Sequence, residues 1–334
     1  MVRNSYGKIL RGGAAAVLVA ALLVLSGGQA APASPPSVTY RDKLGRTVTV
    51  PVPVKRAVFL ISYELIPVLG VWDRVAGVGR WAYDNDLVKQ SKPDIRSIPS
   101  VGSGTDVNVE ALMKLKPDLV LTWTFKPELI RFMEERGLKV IAIYPESLAE
   151  LYDVMRLDGR LFEREARMER AIGEMEVIFR MVRDRVARIP DSQRKKVLYI
   201  GSKPTIVSGA IGVTNDMITL IGARNPASML RQRNIDVPIE RIIEWNPDVI
   251  IIWGNARYAP SDLTNNPQWR LIPAVRKGQV YKSPEWNTWS PRLAPFALWM
   301  AAMTYPEYFK DVDMDKVVDE FHRKVFGVSG KGWH

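Results

Sequence analysis

Asp106-Val107-Asn108-Val109-Glu110-Ala111-Leu112-Met113-Lys114-Leu115-Lys116-Pro117-Asp118-Leu119-Val120-Leu121-Thr122-Trp123 returns later in the chain as Asp236-Val237-Pro238-Ile239-Glu240-Arg241-Ile242-Ile243-Glu244-Trp245-Asn246-Pro247-Asp248-Val249-Ile250-Ile251-Ile252-Trp253. Glu240 minus Glu110, Pro247 minus Pro117 and Trp253 minus Trp123 each give 130, so the two copies align without a gap. Each copy predicts a short helix, a stop at Lys/Asn-Pro-Asp and a buried strand. The acid falls in the first turn, facing the positive end of the helix dipole. Proline ends the helix at the residue before it. A continuous apolar run bounded in this way fits a strand of a parallel sheet covered on both faces.

Between the copies runs a stretch without proline, Ser147 to Ile189, closed by Pro145 and Pro190. Met168, Ala171, Ile172, Met175, Ile178, Phe179, Val182 and Val186 recur at three- and four-residue steps, the period of a helix with one buried stripe. Glu163, Arg167, Glu169, Glu174, Glu176, Arg180, Arg183 and Arg188 fill its other faces. Gly159 is expected to separate a shorter helix from the main one. Alone, such a segment reads equally as an ordinary amphipathic helix or a coiled-coil arm. Flanked by a repeat, it predicts an α/β protein of two lobes, each with a central, mostly parallel sheet flanked by helices, joined by one long rigid helix. The expected boundaries are 38–146 for the first lobe, 147–189 for the linking segment and 190–328 for the second, with a loose tail at 329–334.

Strands are expected at Arg56 to Ile61, Val75 to Gly79, Lys139 to Ile143, Lys196 to Ile200 and Gln279 to Tyr281. A hairpin is expected around Asp42 to Arg46, and closing helices at Leu293 to Met303 and Asp313 to Phe326. The chain has 334 residues, 47% hydrophobic, with ten Trp and nine Phe, which suffices for two packed domains. Arg3, Lys8 and Arg11 precede an apolar run from Ala14 to Leu25 and then small residues, the order of a secretory signal peptide, assigned to 1–33. The run is too short to span a bilayer comfortably. A Pro/Ser linker is expected at 34–37. The chain has no cysteine, which excludes disulfides, thiol nucleophiles, Cys metal sites and a lipid-modified cysteine. A soluble monomer in the periplasm is the expectation. The formal charge of +11 falls to +8 without the signal and is spread along the chain, so nucleic acid is not an expected partner and an anionic ligand is.

The Val-Asn-Val-Glu…Leu-Lys-Pro-Asp-Leu-Val-Leu segment resembles the signature segment of the periplasmic binding proteins for iron complexes and vitamin B12. Gly45-Arg46-Thr47-Val48-Thr49-Val50-Pro51 and Trp286-Asn287-Thr288-Trp289-Ser290-Pro291-Arg292 before an apolar helix are similar to that family as well. The resemblance extends over roughly Val38 to Gly327. It implies the substrate-binding component of an ATP-driven (ABC) importer, with helix-linked lobes and a ligand held in the cleft between them. By this resemblance the permease at the inner membrane is the partner, docked through one glutamate per lobe, here Glu110 and Glu240. The ligand implied is a metal chelate, first a ferric siderophore, with cobalamin or haem as alternatives. No resident cofactor, catalytic residue or metal site is expected.

Loops at the strand ends, where α/β sheets generally bind, then supply the ligand-facing residues. In the first lobe these are Tyr63, Arg80, Trp81, Tyr83, Phe125, Lys126 and Tyr144. In the second they are Lys203, Arg257, Trp286 and Arg292. Trp123 and Trp253 either face the cleft or cap their strands. Aromatic walls with a few cations suit a bulky or anionic metal complex. A bare zinc or manganese site would need histidines, and only His322 and His334 exist. A Ser/His/Asp triad would have to recruit one of these two. No G-x-S-x-G or G-x-x-x-x-G-K-[ST] occurs. An enzyme, or a sensor on the same scaffold, is the competing class.

Overall fold

The computed structural model describes residues 36–330. The signal peptide expected at 1–33, the start of the linker, and residues 331–334 with His334 lie outside them. The first half runs β1 (Ser37–Arg41), β2 (Thr47–Pro51), β3 (Ala57–Phe59), α1 (Leu65–Leu69), β4 (Val75–Val78), α2 (Asp86–Ser91), β5 (Gly102–Ser103), β6 (Asp106–Val107), α3 (Val109–Lys114), β7 (Leu119–Trp123), α4 (Pro127–Glu134) and β8 (Val140–Ile143). Helices α5 (Leu148–Phe162) and α6 (Glu165–Val186) follow. The second half runs β9 (Val197–Ile200), β10 (Ile206–Ser208), α7 (Val213–Leu220), β11 (Asn234–Asp236), α8 (Ile239–Trp245), β12 (Val249–Ile252), α9 (Pro260–Thr264), α10 (Pro273–Arg276), β13 (Val280–Lys282), α11 (Leu293–Thr304) and α12 (Met314–Phe326).

The first sheet is parallel, in the order β4-β3-β7-β8, and the second is β11-β10-β9-β12-β13, parallel from β9 to β13. The repeat therefore builds α3 and β7 in one sheet and α8 and β12 in the other. Ser37, assigned to the linker from the sequence, is the first residue of β1 and pairs with Pro51. At the other end Ser329 Oγ and the Gly330 amide both donate to Asp319, so this part of the expected tail is tied to α12.

Gly159 does not separate the linking helices. It lies within α5, and the break falls at Glu163, in the left-handed region with φ 53°. The chain then folds back. Tyr152 donates to Glu176 at 2.6 Å and Arg156 to Glu169 at 2.7 Å, so α5 and α6 form an antiparallel hairpin. An added Cβ on Gly159 would stand 3.2 Å from Glu165 Cα, so the missing side chain serves close approach of the two helices.

Alternation along the strands sorts the core. Phe59, Leu121, Ile141 and Ile143 of the first sheet and Val197, Tyr199, Val249 and Ile251 of the second share one apolar cluster with the α6 stripe and α11. Val58, Val120, Val140 and Ala142 face a separate cluster under α3 and α4. Leu198, Ile200, Ile250 and Ile252 face a third, under α8, α9 and α10. With a period of two, each parallel strand feeds two cores, and the inner one is common to both lobes. No helix among the described residues is long and apolar enough to cross a membrane.

Asp158, on the buried side of α5, has no hydrogen-bond partner for either carboxylate oxygen among the described residues. Burial pushes its carboxyl up to about 8. The folded chain thus keeps a proton that the unfolded chain releases near pH 4, so stability is fullest below that pH and falls as pH rises toward 8. Asp158→Asn is expected to raise the free energy of unfolding by about 5 kcal/mol at pH 8 and to change it little at pH 4. Denaturant melts at the two pH values measure this. Equal effects at both would refute it.

Candidate functional site

In a parallel α/β sheet the loops after the strands share one edge. A helix leading into the next strand begins at that same edge, because it runs antiparallel to the strand. Both sheets meet across this edge. Trp289, from the loop between β13 and α11, packs edge-on against Tyr144 at 4.4 Å and Trp123 at 5.6 Å between ring centroids. Phe125 joins the cluster, 5.4 Å from Trp123 and 4.9 Å from Tyr144. Such edge contacts suit the ring quadrupole. Arg233, just before β11, lies over the other first-lobe aromatic, 3.5 Å from the Tyr144 centroid, and its guanidinium pairs with Glu146. Glu146 also takes Lys43 at 2.7 Å. Burial raises the Tyr144 phenol against the pull of Arg233, whereas the Lys43 hydrogen bond, opposed by burial, holds Glu146 below the usual carboxylate range.

Of the residues expected from the sequence, Trp81 (54% exposed) and Phe125 (49%) present open aromatic surface. Arg80 lies 5.4 Å over Trp81 and 3.8 Å from Asp106. Lys126 approaches Glu128 at 3.8 Å. Lys203 and Arg257, at the ends of β9 and β12, are exposed with no carboxylate partner among the described residues. Tyr83 turns its hydroxyl inward to the Ile98 carbonyl at 2.7 Å, and Tyr63 is half-buried against the shared core. Glu110 and Glu240 are exposed in the first turns of α3 and α8, one on each lobe. Asn108 caps α3 by accepting from the Ala111 amide at 2.9 Å.

Three expected ligand residues are buried: Tyr144, 7% exposed within the aromatic cluster, and two at the joint between the lobes. Arg292 is 1% exposed and Trp286 5%. The Arg292 guanidinium donates to both Asp86 oxygens at 2.7 Å and to Glu64, also fully buried, at 3.3 Å. Glu64 accepts from Ser290 at 2.5 Å and Asn85 at 2.7 Å. Trp286 stacks under Arg292 and against His322. The cluster joins α1 and α2 of the first lobe to the start of α11. A sequence cannot tell a buried arginine from a ligand arginine when its acids lie more than two hundred residues away. Burial pushes Glu64 up against the pull of Arg292, and Arg292 in turn holds Asp86 low despite its burial. Burial and the Arg292 charge push His322 down to about 4, and its Nδ1 meets the Val318 carbonyl at 2.8 Å. It is a neutral core residue, unsuited to a triad or a metal. Among the described residues no group of three acids or histidines could hold a metal ion.

Arg233, Glu146 and Trp289 were not marked by the sequence. Trp289 stands in the quoted Trp286-to-Arg292 motif, which could have flagged it. Nothing local flags Arg233.

Two α/β lobes that share an inner core and meet through aromatic and cationic strand-end loops have the architecture of a solute-binding protein. The chain belongs to the periplasmic binding protein family, which matches residues 57–285. The molybdate-binding protein MolA of Haemophilus influenzae is 24% identical over 331 residues, covering 87% of this chain and 91% of MolA. The crystal structure of Helicobacter pylori CeuE with a Ni-His complex superposes with a TM-score of 0.78 at 26% identity, covering 88% of this chain and 97% of that one. MolA bound to molybdate gives 0.77 at 24% identity, covering 88% and 99%. The protein is thus the periplasmic binding component of an ABC importer, not an enzyme.

Removing Arg292 leaves Glu64 buried without its counter-charge. Arg292→Met is expected to cost about 3–5 kcal/mol of stability, read by urea denaturation. Glu64→Gln/Arg292→Met together should recover much of that loss. A double variant as unstable as the single would show that packing, not charge, sets the cost.

Proposed function

We propose that the cleft captures an anionic metal chelate, a ferric siderophore first, and hands it to an inner-membrane permease docked through Glu110 and Glu240. The observation that carries this reading is the aromatic cluster of Trp123, Phe125, Tyr144 and Trp289, with Arg233 over Tyr144 and the exposed cations Arg80, Lys126, Lys203 and Arg257 on strand-end loops. Rings bury the ligand's organic faces and the cations offset its charge. Cobalamin or haem would use the rings but little of the charge. A bare oxyanion is the second reading, favoured by the extent of the likeness to MolA, which binds molybdate. The signal-peptide assignment and a periplasmic location agree with this role.

Tryptophan fluorescence titration tests the ligand. An iron(III) tris-catecholate is expected to quench with a Kd below about 1 μM. Cobalamin, nickel-histidine and molybdate are the comparison probes. Tight binding of molybdate with no response to the chelate would replace the first reading by the second.

The docking role has its own test. The two glutamates would read the spacing of two cationic pockets. Glu110→Arg/Glu240→Arg is expected to abolish uptake and permease association while ligand affinity stays intact. Uptake that survives the double charge reversal refutes docking through these residues.

A further inference from the structure

The short hairpin β5–β6 lies with its tip against Trp123 of the aromatic cluster. We propose that it is a gate over the aromatic cluster and that Asp106, on it, holds the gate shut by neutralising Arg80, the cation a ligand would otherwise meet. This rests on the cleft being the ligand site.

Arg80 supplies the first observation. It is half exposed, and its one carboxylate neighbour among the described residues is Asp106, at 3.8 Å. Asp106 has no other ion partner there. The hairpin thus lays its own anion against a cation that the cleft would otherwise offer to a ligand.

Trp123 supplies the second. Its indole Nε1 is buried and finds no acceptor among the described residues. What covers it is Gly104 at the hairpin tip. An added Cβ there would overlap Trp123 Nε1 and Cδ1, so the hairpin seals the ring with bare backbone. The N–H is hidden by the tip without being used by it. A buried donor without an acceptor is costly in that state and gains when the cover is replaced by a ligand oxygen.

The third observation is the slightness of the hairpin. It consists of two residue pairs, Gly102 with Val107 and Ser103 with Asp106. Gly102 sits at φ +106°, where a side chain would overlap the Asp106 carbonyl oxygen. Two pairs of hydrogen-bonded residues form a marginal unit, and elements with few cross-links open locally far below the global unfolding free energy.

Lifting the hairpin frees three things together: the Arg80 guanidinium, the Trp123 N–H and the indole face. A multiply charged anionic chelate uses all three. A neutral chelate gains the ring and the donor but nothing from Arg80, so it does not offset the loss of the Asp106 pair. Either ligand must break the Asp106 pair, so Asp106 holds back both alike, and Arg80, once freed, favours the anionic one.

The test compares the full chain with Asp106→Asn. Hydrogen–deuterium exchange of segment 102–107 reads the gate without any ligand. Calorimetric titration with an iron(III) tris-catecholate, of charge −3, and with a neutral iron(III) tris-hydroxamate reads the competition for Arg80. Asp106→Asn is expected to speed exchange at 102–107 and leave β7 unchanged. It should tighten both chelates by roughly two- to fivefold, the weight of an exposed ion pair, and leave their ratio unchanged, whereas Arg80→Gln should move the ratio toward the neutral chelate. The tightening is expected to shrink at high salt. Exchange unaltered by the substitution overturns the gate. Faster exchange with both affinities unaltered makes Asp106 a hairpin stabiliser only and overturns its competition with the ligand for Arg80. Should neither chelate bind either protein, the ferric-chelate reading falls, and the exchange result still decides the gate.

Discussion

Both lobes bury alternate residues of their central strands in one common apolar core, and everything else is arranged around that constraint. Phe59 and Leu121 on one side and Tyr199 and Ile251 on the other are fully or nearly fully buried in the same cluster as Met175 and Phe179 of α6. Separating the lobes would expose these faces, at about 25 cal/mol for each Å² of apolar surface returned to water. The α5–α6 hairpin is thus more than a tether. Its stripe completes the core that both sheets need, and Gly159 lets its two helices close on each other.

Charge reinforces the same joint. Glu64 and Arg292 are taken out of water together, with Asp86, Asn85 and Ser290 completing their hydrogen bonds. A buried pair of this kind adds little net stability over apolar residues, but half of it alone is strongly unfavourable. It therefore specifies which surfaces of the two lobes meet. Asp216 accepting from the Leu148 amide and Glu146 accepting from the Gly212 amide do the same at the cleft end of α5.

The internal repeat was legible because it lies in local patterns: an acid in a first turn, Pro-Asp after it, an apolar strand, all repeated at one offset. Exposed aromatics and cations at strand ends, such as Trp81, Phe125, Lys203 and Arg257, were legible for the same reason. What escaped depends on distant partners. Arg292 looks like a ligand arginine until Glu64 and Asp86 are seen beside it. Arg233 and Glu146 meet across 87 residues. The helix break was set at Gly159 on conformational freedom, whereas Glu163 takes the left-handed turn and the glycine is used for its small size.

Lobes fused through a core have little freedom to discriminate ligands by closing around them. Hinged binding proteins select through a large rigid-body motion, which needs an interface that parts easily. Here the joint is a buried apolar core to which both sheets contribute. Selection must then reside in parts that move without breaking the core: exposed side chains such as Arg80 and Lys203, and short elements with few cross-links at the cleft edge. The β5–β6 hairpin is such an element, and its second strand leads directly into α3, whose first turn carries Glu110. The same edge of the first lobe therefore holds the proposed cover and the acid expected to meet the permease within one run of backbone, Gly102 to Glu110, with Arg80, the cation it neutralises, brought beside it from the loop after β4.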